Sequence, residues 1–180
     1  MCSANLPDTE LSPNQLEQAT DYFNTVLYDG TGSSNSVTGV GFQPDWVWIK
    51  KRSGGSQRNH ILTDSMRGVT KHIATSLEDG QFTNTNGLTA FGADGFTVGS
   101  DAGVNRNNST YVAWNWKAGN SAGSSNTDAT GSYPITSTVS VNQTAGFSIV
   151  KYTGNGYSTC LLYTSDAADE RSSVDLGGRR

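Results

Sequence analysis

The clearest candidates for acid–base chemistry are His60 and Asp64, which lie four residues apart in the stretch NHILTDSMRG. A helix would bring the two side chains together, but the run HILTDS has the composition of a β-strand. Strand positions four apart share a face at a separation of about 13 Å, which is too long for a hydrogen bond. We therefore interpret the pair as polar residues at a strand end. The other histidine, His72, has no evident partner beside Lys71 and is predicted to lie on the surface.

A second candidate site is the stretch DAGVNRNNST, which superficially resembles a calcium-binding loop. Side-chain oxygens recur at alternating positions, at Asp101, Asn105, Asn107 and Ser109. The bidentate acid that such a loop requires twelve residues in is absent, because Val112 stands there, and Gly103 offers no side-chain oxygen. The pattern favours an Asn-rich turn. Calcium stays open as an alternative because sandwich lectins can use backbone carbonyls, and no other cofactor is predicted.

Sequence signatures of other enzyme classes do not occur. The glycine pairs at 30 and 32 and at 39 and 41 precede strands or polar turns rather than a helix whose N-terminus could hold phosphate. The chain has neither a Gly-x-Ser-x-Gly motif nor a metalloprotease histidine pair. We therefore expect a protein that is not an enzyme. A glycan-degrading enzyme ranks third among the functions considered and would need two carboxylates paired in one cleft.

The four tryptophans, Trp46, Trp48, Trp114 and Trp116, are the most suggestive binding residues, because exposed indole rings stack on sugars. In TYVAWNWK, Trp114 and Trp116 share a strand face with Val112. The opposite face carries Ala113, Asn115 and Lys117. In WVWIK large apolar residues occupy both faces, so that strand should be covered on both sides. The pattern favours core packing for these rings, with sugar stacking as the alternative.

The elements that must position these residues are short strands. Only 16% of the residues are charged and 21 are Gly, which is typical of many strands joined by tight turns. Candidate strands follow one another at turn-separated intervals, and Asp94-Gly95 is the best hairpin signal. The sequence thus predicts an all-β protein with an antiparallel β-sandwich.

Charge and targeting signals limit the partners. The net charge is −4 with a pI near 5.0, and apart from Lys50, Lys51 and Arg52 the cations are scattered, so neither nucleic acid nor an anionic membrane is an expected partner. No apolar run is long enough for a membrane span, and the first residues lack an export signal. Cys2 and Cys160 form no disulfide or metal pattern.

Domain boundaries follow from composition and from one internal match. FSIVKYTGNG from Phe147 repeats FNTVLYDGTG from Phe23 at an offset of 124 residues, which indicates a duplication whose second copy stops after one strand. The alternative is that this later strand completes the first domain. The predicted divisions are a lead-in segment 1–21, a sandwich 22–118, a Gly/Ser/Asn linker 119–132, a truncated second repeat 133–159 and a tail 160–180.

The stretches ANLPD, YFNTVLYDGTG, GVGFQPDWVWIKKRS, NHILTDSMRG, LTAFGADGFTVGSD, TYVAWNWKAG and TAGFSIVKYTGNG occur in an order that resembles a repeated β domain of tail-fibre-like structural proteins in marine tailed bacteriophages. The resemblance covers about residues 3 to 158. It implies a concanavalin or laminin-G type jelly roll in a virion protein that is made in the host cytoplasm. It also implies host-surface carbohydrate or other virion proteins as partners, and a homo-oligomer in the full-length fibre. No catalytic residue is carried over.

The tail does not continue the β pattern. Its segments CLLYTSDAADE and SVDLGGRR resemble, in order, the translation of a transposase-based sequencing adaptor. This resemblance implies that residues 160–180 are assembly read-through and should be excluded from fold reasoning.

The most specific function that remains is a non-catalytic adhesion module for host glycan. Its rival is a structural spacer or oligomerisation domain of a fibre.

Overall fold

A computed structural model describes residues 18–119 and 137–154 of the chain. Within these ranges the structure is 48% strand and 6% helix, and its antiparallel sheets pack together as an all-β sandwich, which confirms the predicted fold class. Most of the lead-in segment, most of the linker and the tail 160–180 lie outside the described residues.

Eleven strands are described, together with a 3-10 turn at Ala19–Asp21 and a single α-helical turn at Ala102–Asn105. In chain order the strands are β1 Phe23–Asp29, β2 Asn35–Thr38, β3 Trp46–Ser53, β4 Ile61–Asp64, β5 Lys71–Ala74, β6 Phe82–Thr83, β7 Leu88–Gly92, β8 Gly95–Val98, β9 Thr110–Trp116, β10 Ser137–Asn142 and β11 Phe147–Tyr152. A six-stranded sheet has the order β1-β9-β3-β4-β5-β6, a three-stranded sheet the order β2-β8-β7, and β10 and β11 form a separate hairpin.

The three-stranded sheet contains the hairpin signalled by Asp94-Gly95. Strands β7 and β8 pair with Gly92 opposite Gly95, so the chain reverses at residues 93 and 94. The Asp94 carboxylate accepts hydrogen bonds from the backbone N–H groups of Gly39 (3.0 Å) and Gly41 (2.6 Å), and these bonds lower the pKa of Asp94. The turn residue therefore also holds the loop that follows β2 against the hairpin.

The main core lies between the six-stranded and the three-stranded sheets. Val47 and Ile49 of β3 and Ala113 of β9 face it, and they pack with Phe96 and Val98 of β8 in one continuous cluster. Because β3 and β9 pair without a register shift from Trp46 to Lys51, the side chains of paired residues lie on the same face of the sheet. The tryptophans of β3 and β9 must therefore point to the opposite face, which we name the outer face.

This placement corrects the expectation that the tryptophans pack inside the sandwich. All four rings are half-buried on the outer face, and the main core contains none of them. The inward face of β9 carries Tyr111, Ala113 and Asn115, each fully buried. Alternation along a strand separates two faces correctly, but it does not say which face the second sheet will cover.

The β10–β11 hairpin covers part of the outer face, so that side of the sheet is also layered, as the WVWIK pattern predicted for β3. Ile149 of β11 is only 4% exposed and Val139 of β10 is 7% exposed, whereas Tyr152 is 55% exposed. The side-chain amide of Asn142 donates to the Lys117 carbonyl (3.3 Å), which joins the hairpin to the end of β9. A second copy that stops after one strand would leave Phe147, Ile149 and Tyr152 exposed or paired with a sheet edge. The structure instead seats the hairpin against a sheet face.

Candidate functional site: the outer aromatic face

The outer face brings the four sequence-predicted tryptophans into two adjacent cross-strand pairs. Trp46 lies opposite Trp116, and Trp48 lies opposite Trp114, because β3 and β9 pair antiparallel in this register. Strands β3 and β9 are neighbours in the middle of the six-stranded sheet, so residues distant in sequence form one aromatic surface. The sequence predicted the residues, and the strand register assembles them.

Trp48 and Trp114 form the pair whose rings do not contact Phe147 of the hairpin. Its ring centroids are 5.0 Å apart with an interplanar angle of 39°. The ring of His60 lies edge-on to Trp48 with centroids 6.4 Å apart. The indole N–H of Trp48 donates to the Thr75 hydroxyl (2.9 Å). This hydrogen bond fixes the tilt of the indole and leaves ring surface directed outward.

The other pair, Trp46 and Trp116, is partly covered. Phe147 of the hairpin lies 6.2 Å from each of these rings by centroid, edge-on to Trp46 and stacked on Trp116. Phe23 of β1 also contacts Trp116, with ring centroids 4.8 Å apart. These contacts give Trp46 and Trp116 a packing role, because Phe147 contacts both rings and Phe23 adds a second contact to Trp116.

Apolar side chains extend the outer face toward the β1 edge of the sheet. Leu27 is 62% exposed and Phe23 is 39% exposed, and both share the face of the tryptophans by register. Monomeric soluble domains rarely expose contiguous apolar and aromatic groups unless the surface binds something. The outer face is therefore the leading candidate site.

His60 and Asp64 are not brought together as an acid–base pair. Asp64 is buried at the end of β4, where its carboxylate accepts from the backbone N–H (2.8 Å) and the side-chain Nε of Arg67. His60 instead lies beside Trp48. The terminal nitrogens of Arg67 are buried and make no hydrogen bond with any described residue. Asp64 therefore acts as the partner of a partly buried arginine.

The structure corrects the prediction that His72 lies on the surface. His72 is 1% exposed, and its Nδ1 lies 2.7 Å from the hydroxyl of Thr63 on the neighbouring strand. Its Nε2 lies 3.2 Å from the carbonyl of Asn84, which can only accept, so Nε2 carries the proton. Burial lowers the pKa of His72 and keeps the ring neutral, against smaller opposing effects from Asn84 and Asp101. Burial alternates along β5, with His72 and Ala74 inward, but the residue types of KHIA do not alternate between polar and apolar and gave no sequence signal for this burial.

The calcium-like loop uses its oxygens within the protein. Asp101 caps the helical turn by accepting from the Gly103 N–H (3.0 Å) and from the Asn84 amide (2.6 Å). Asn105 is completely buried and hydrogen-bonds to two chain segments, one at Thr31 and Ser33 and the other at Gly99. The Asn-rich turn is therefore a structural junction, and the density of Asn and Asp was the sequence signal for it.

Several aspartates have both carboxylate oxygens engaged by protein donors. In Asp45, which is 1% exposed, they accept from the Ser65 hydroxyl (2.8 Å) and from the Ala118 N–H (2.9 Å). Burial raises the pKa of Asp45, although both hydrogen bonds oppose this shift. Asp64, Asp94 and Asp101 are likewise engaged through both oxygens. These four side chains connect loops to the sheets.

Metal-binding groups and membrane-spanning helices are both absent from residues 18–119 and 137–154. No group of three or more His, Cys, Asp or Glu side chains that could hold a metal ion is present in these residues. Within the same ranges, no helix has the length and apolar character needed to cross a membrane.

Comparison with known proteins gives one match. Residues 18–168 match the model of a family described as DUF7483, a domain of unknown function. The matched region contains every described strand, the hairpin included, and it extends into the segment that resembles a sequencing adaptor. No curated protein sequence and no solved structure gives a significant match.

Proposed function

Because the chain belongs to the DUF7483 family, whose function is unknown, we propose a function from its outer face: a non-catalytic adhesion module that binds glycan. We further propose, on the resemblance to repeated domains of tail-fibre-like proteins, that the module is part of a phage virion. Its partner would then be carbohydrate on the host surface.

The observation that carries this proposal is the half-buried pair of Trp48 and Trp114 on a sheet face. Sugar rings present C–H groups on one side, and these pack on the electron-rich face of an indole. The cross-strand pairing holds the two rings at fixed spacing, and the hydrogen bond from Trp48 to Thr75 restricts one of them further. A rigid aromatic surface loses little conformational entropy when a ligand binds.

The non-catalytic part of the proposal is supported by the aspartates. Asp45, Asp64, Asp94 and Asp101 each direct both oxygens to protein donors, whereas a glycosidase needs two carboxylates facing one substrate. Removing Asp45 or Asp64 from such a network would leave buried donors without partners. Their environment is that of structural side chains.

A glycan array with the purified chain tests the proposal, followed by titration calorimetry with the best neutral oligosaccharide. Trp48→Ala should weaken binding by about tenfold or more, because the stacking surface is lost. Phe82→Ala is the matched control, since Phe82 is an exposed aromatic residue (38%) on β6, away from the tryptophans. Thermal unfolding of both variants shows whether the fold is retained. Unchanged affinity in folded Trp48→Ala would refute the site.

A structural spacer is the second candidate, and the hairpin is the observation that favours it. Phe147 packs on Trp46 and Trp116, which shows that this face accepts a β-hairpin as a covering layer. If β11 begins a second repeat, the contact would couple consecutive domains along a fibre. Sedimentation equilibrium distinguishes the two functions: a stable oligomer without sugar affinity supports the spacer.

A further inference from the structure

A cleft lined by basic residues lies at the end of β3, next to the outer face. It has a volume of about 330 Å³ and is formed by the loop between β3 and β4. Its cations are Lys50, Lys51, Arg52 and Arg58. Arg106, in the loop before β9, lies beside Gly55, which lines the cleft. A Cβ placed on Gly55 would be 3.2 Å from Nη1 of Arg106. We name these five residues the basic cluster.

The basic cluster carries uncompensated charge in a protein of net charge −4. Arg67 and Asp64 form the only ion pair in the part of the chain that the structure describes, so none of the five cations is neutralised by a described carboxylate. Desolvation, and then the nearby charges of Arg106 and Arg58, lower the pKa of Lys51. A bound anion would relieve this repulsion.

The backbone around the basic cluster is held in place before any ligand arrives. The Lys51 ammonium donates to the carbonyls of Gly54 and Ser56, and the Ser109 hydroxyl donates to the same Gly54 carbonyl (3.1 Å). The backbone N–H of Arg106 donates to the hydroxyl of Tyr111 (2.8 Å), and Tyr111 is fully buried. The loop carrying Arg58 and the loop carrying Arg106 are thus joined, with Arg58 lining the cleft and Arg106 close to Gly55 at its side. Such pre-organisation favours binding.

The cleft is continuous with the proposed sugar-stacking surface. His60 lines the cleft, and its ring contacts Trp48. Lys50 follows Trp48 by two residues on the same face of β3 and is exposed. A sugar ring stacked on Trp48 would therefore have neighbouring substituents within reach of cationic side chains.

We propose that the basic cluster receives the carboxylate or sulfate of an acidic sugar residue in a glycan that stacks on Trp48. The inference rests on the proposed adhesion function and names its ligand class. Arginine binds both groups through paired N–H donors, and lysine adds a positive charge. A polynucleotide suits the surface less well, because its regularly spaced phosphates require an extended basic face, whereas these cations surround one cleft.

The test uses titration calorimetry of the full chain with tetragalacturonate, its fully methyl-esterified form and a heparin tetrasaccharide. Tetragalacturonate or the heparin tetrasaccharide should bind about tenfold or more tightly than the ester, and Arg58→Gln and Lys50→Gln should each remove about tenfold of that affinity. The carboxylated and sulfated probes identify which acidic group is preferred. Lys151→Gln is the matched control, because Lys151 is an exposed cation on the hairpin, and it should change nothing.

The outcomes separate this inference from the proposed function. Binding of neutral oligosaccharides that depends on Trp48 but not on Arg58 would overturn the acidic ligand and leave the adhesion function standing. Equal binding of an oligothymidylate, independent of Trp48, would show a charge-only surface and overturn both. Both would also be overturned if no saccharide on the array and none of the three titrated probes bound.

Discussion

Replacing Asn105 by Ala should strongly destabilise the sandwich, because this completely buried side chain connects the loop between β1 and β2 to the segment that follows β8. Its Oδ1 accepts from the Thr31 N–H (2.9 Å), and its Nδ2 donates to the carbonyls of Gly99 (2.7 Å) and Ser33. Alanine leaves one donor and two acceptors without their partner. Unsatisfied buried groups cost about 1–3 kcal/mol each, and the lower value applies because Thr31 and Ser33 are exposed enough to gain water.

The expected loss is thus about 3 kcal/mol in the free energy of unfolding, or roughly 10 °C in Tm for a domain of this size. Asn105→Asp should lose more at neutral pH, because a carboxylate oxygen would replace the donor that faces the two carbonyls. Asn107→Ala is the control: Asn107 is exposed in the same loop, its Oδ1 accepts only from the Asn108 N–H (3.0 Å), and its removal should cost less than about 0.5 kcal/mol.

Urea denaturation followed by tryptophan fluorescence measures all three variants on one scale, and circular dichroism confirms that each is folded at the start. A loss below about 1 kcal/mol for Asn105→Ala would refute the reasoning. So would equal losses for the Asn105 and Asn107 alanine variants, since burial would then not be the cause.

Two further predictions concern the buried histidine and the hairpin. Burial lowers the pKa of His72 below its usual 6.5, so the unfolded chain binds more protons than the folded chain near that pH. The free energy of unfolding should therefore be highest above about pH 7 and decline as the pH falls below 6.5. Urea midpoints measured at several pH values should show a weaker pH dependence in His72→Gln. Identical slopes in both proteins would contradict this assignment. Phe147→Ala should lower the Tm and shift tryptophan emission to longer wavelength, because Trp46 and Trp116 lose a ring contact, whereas Tyr152→Ala, at a 55% exposed position, should do neither. If neither variant changed the emission, the hairpin would not be seated on the sheet in solution.

The sequence alone predicted the all-β sandwich and the positions of most strands. Alternation in TYVAWNWK, glycine-rich turns and the Asp94-Gly95 signal are local properties, and strands and tight turns depend mainly on local sequence. The repeat at an offset of 124 residues marked two stretches that both form strands, β1 and β11. Those inferences needed no knowledge of which residues meet.

Which face of each strand became the core was decided only by tertiary structure. β9 carries Trp114 on one face and Asn115 on the other, and the structure buries the asparagine completely while leaving the tryptophan half-buried. Asn115 is tolerated there because its amide donates to the carbonyls of Asn24 and Ala113, both at 3.1 Å. A hydrogen-bond partner 91 residues away cannot be read from a local pattern.

The candidate site divides in the same way. The sequence supplied the tryptophans and the run Lys50-Lys51-Arg52, which by itself indicated no binding surface. The register of β3 with β9 pairs Trp48 with Trp114, and loop packing places Arg58 in the cleft and Arg106 beside Gly55, which lines it. Site geometry depends on contacts between residues far apart in the chain, and only the folded sheet sets those contacts.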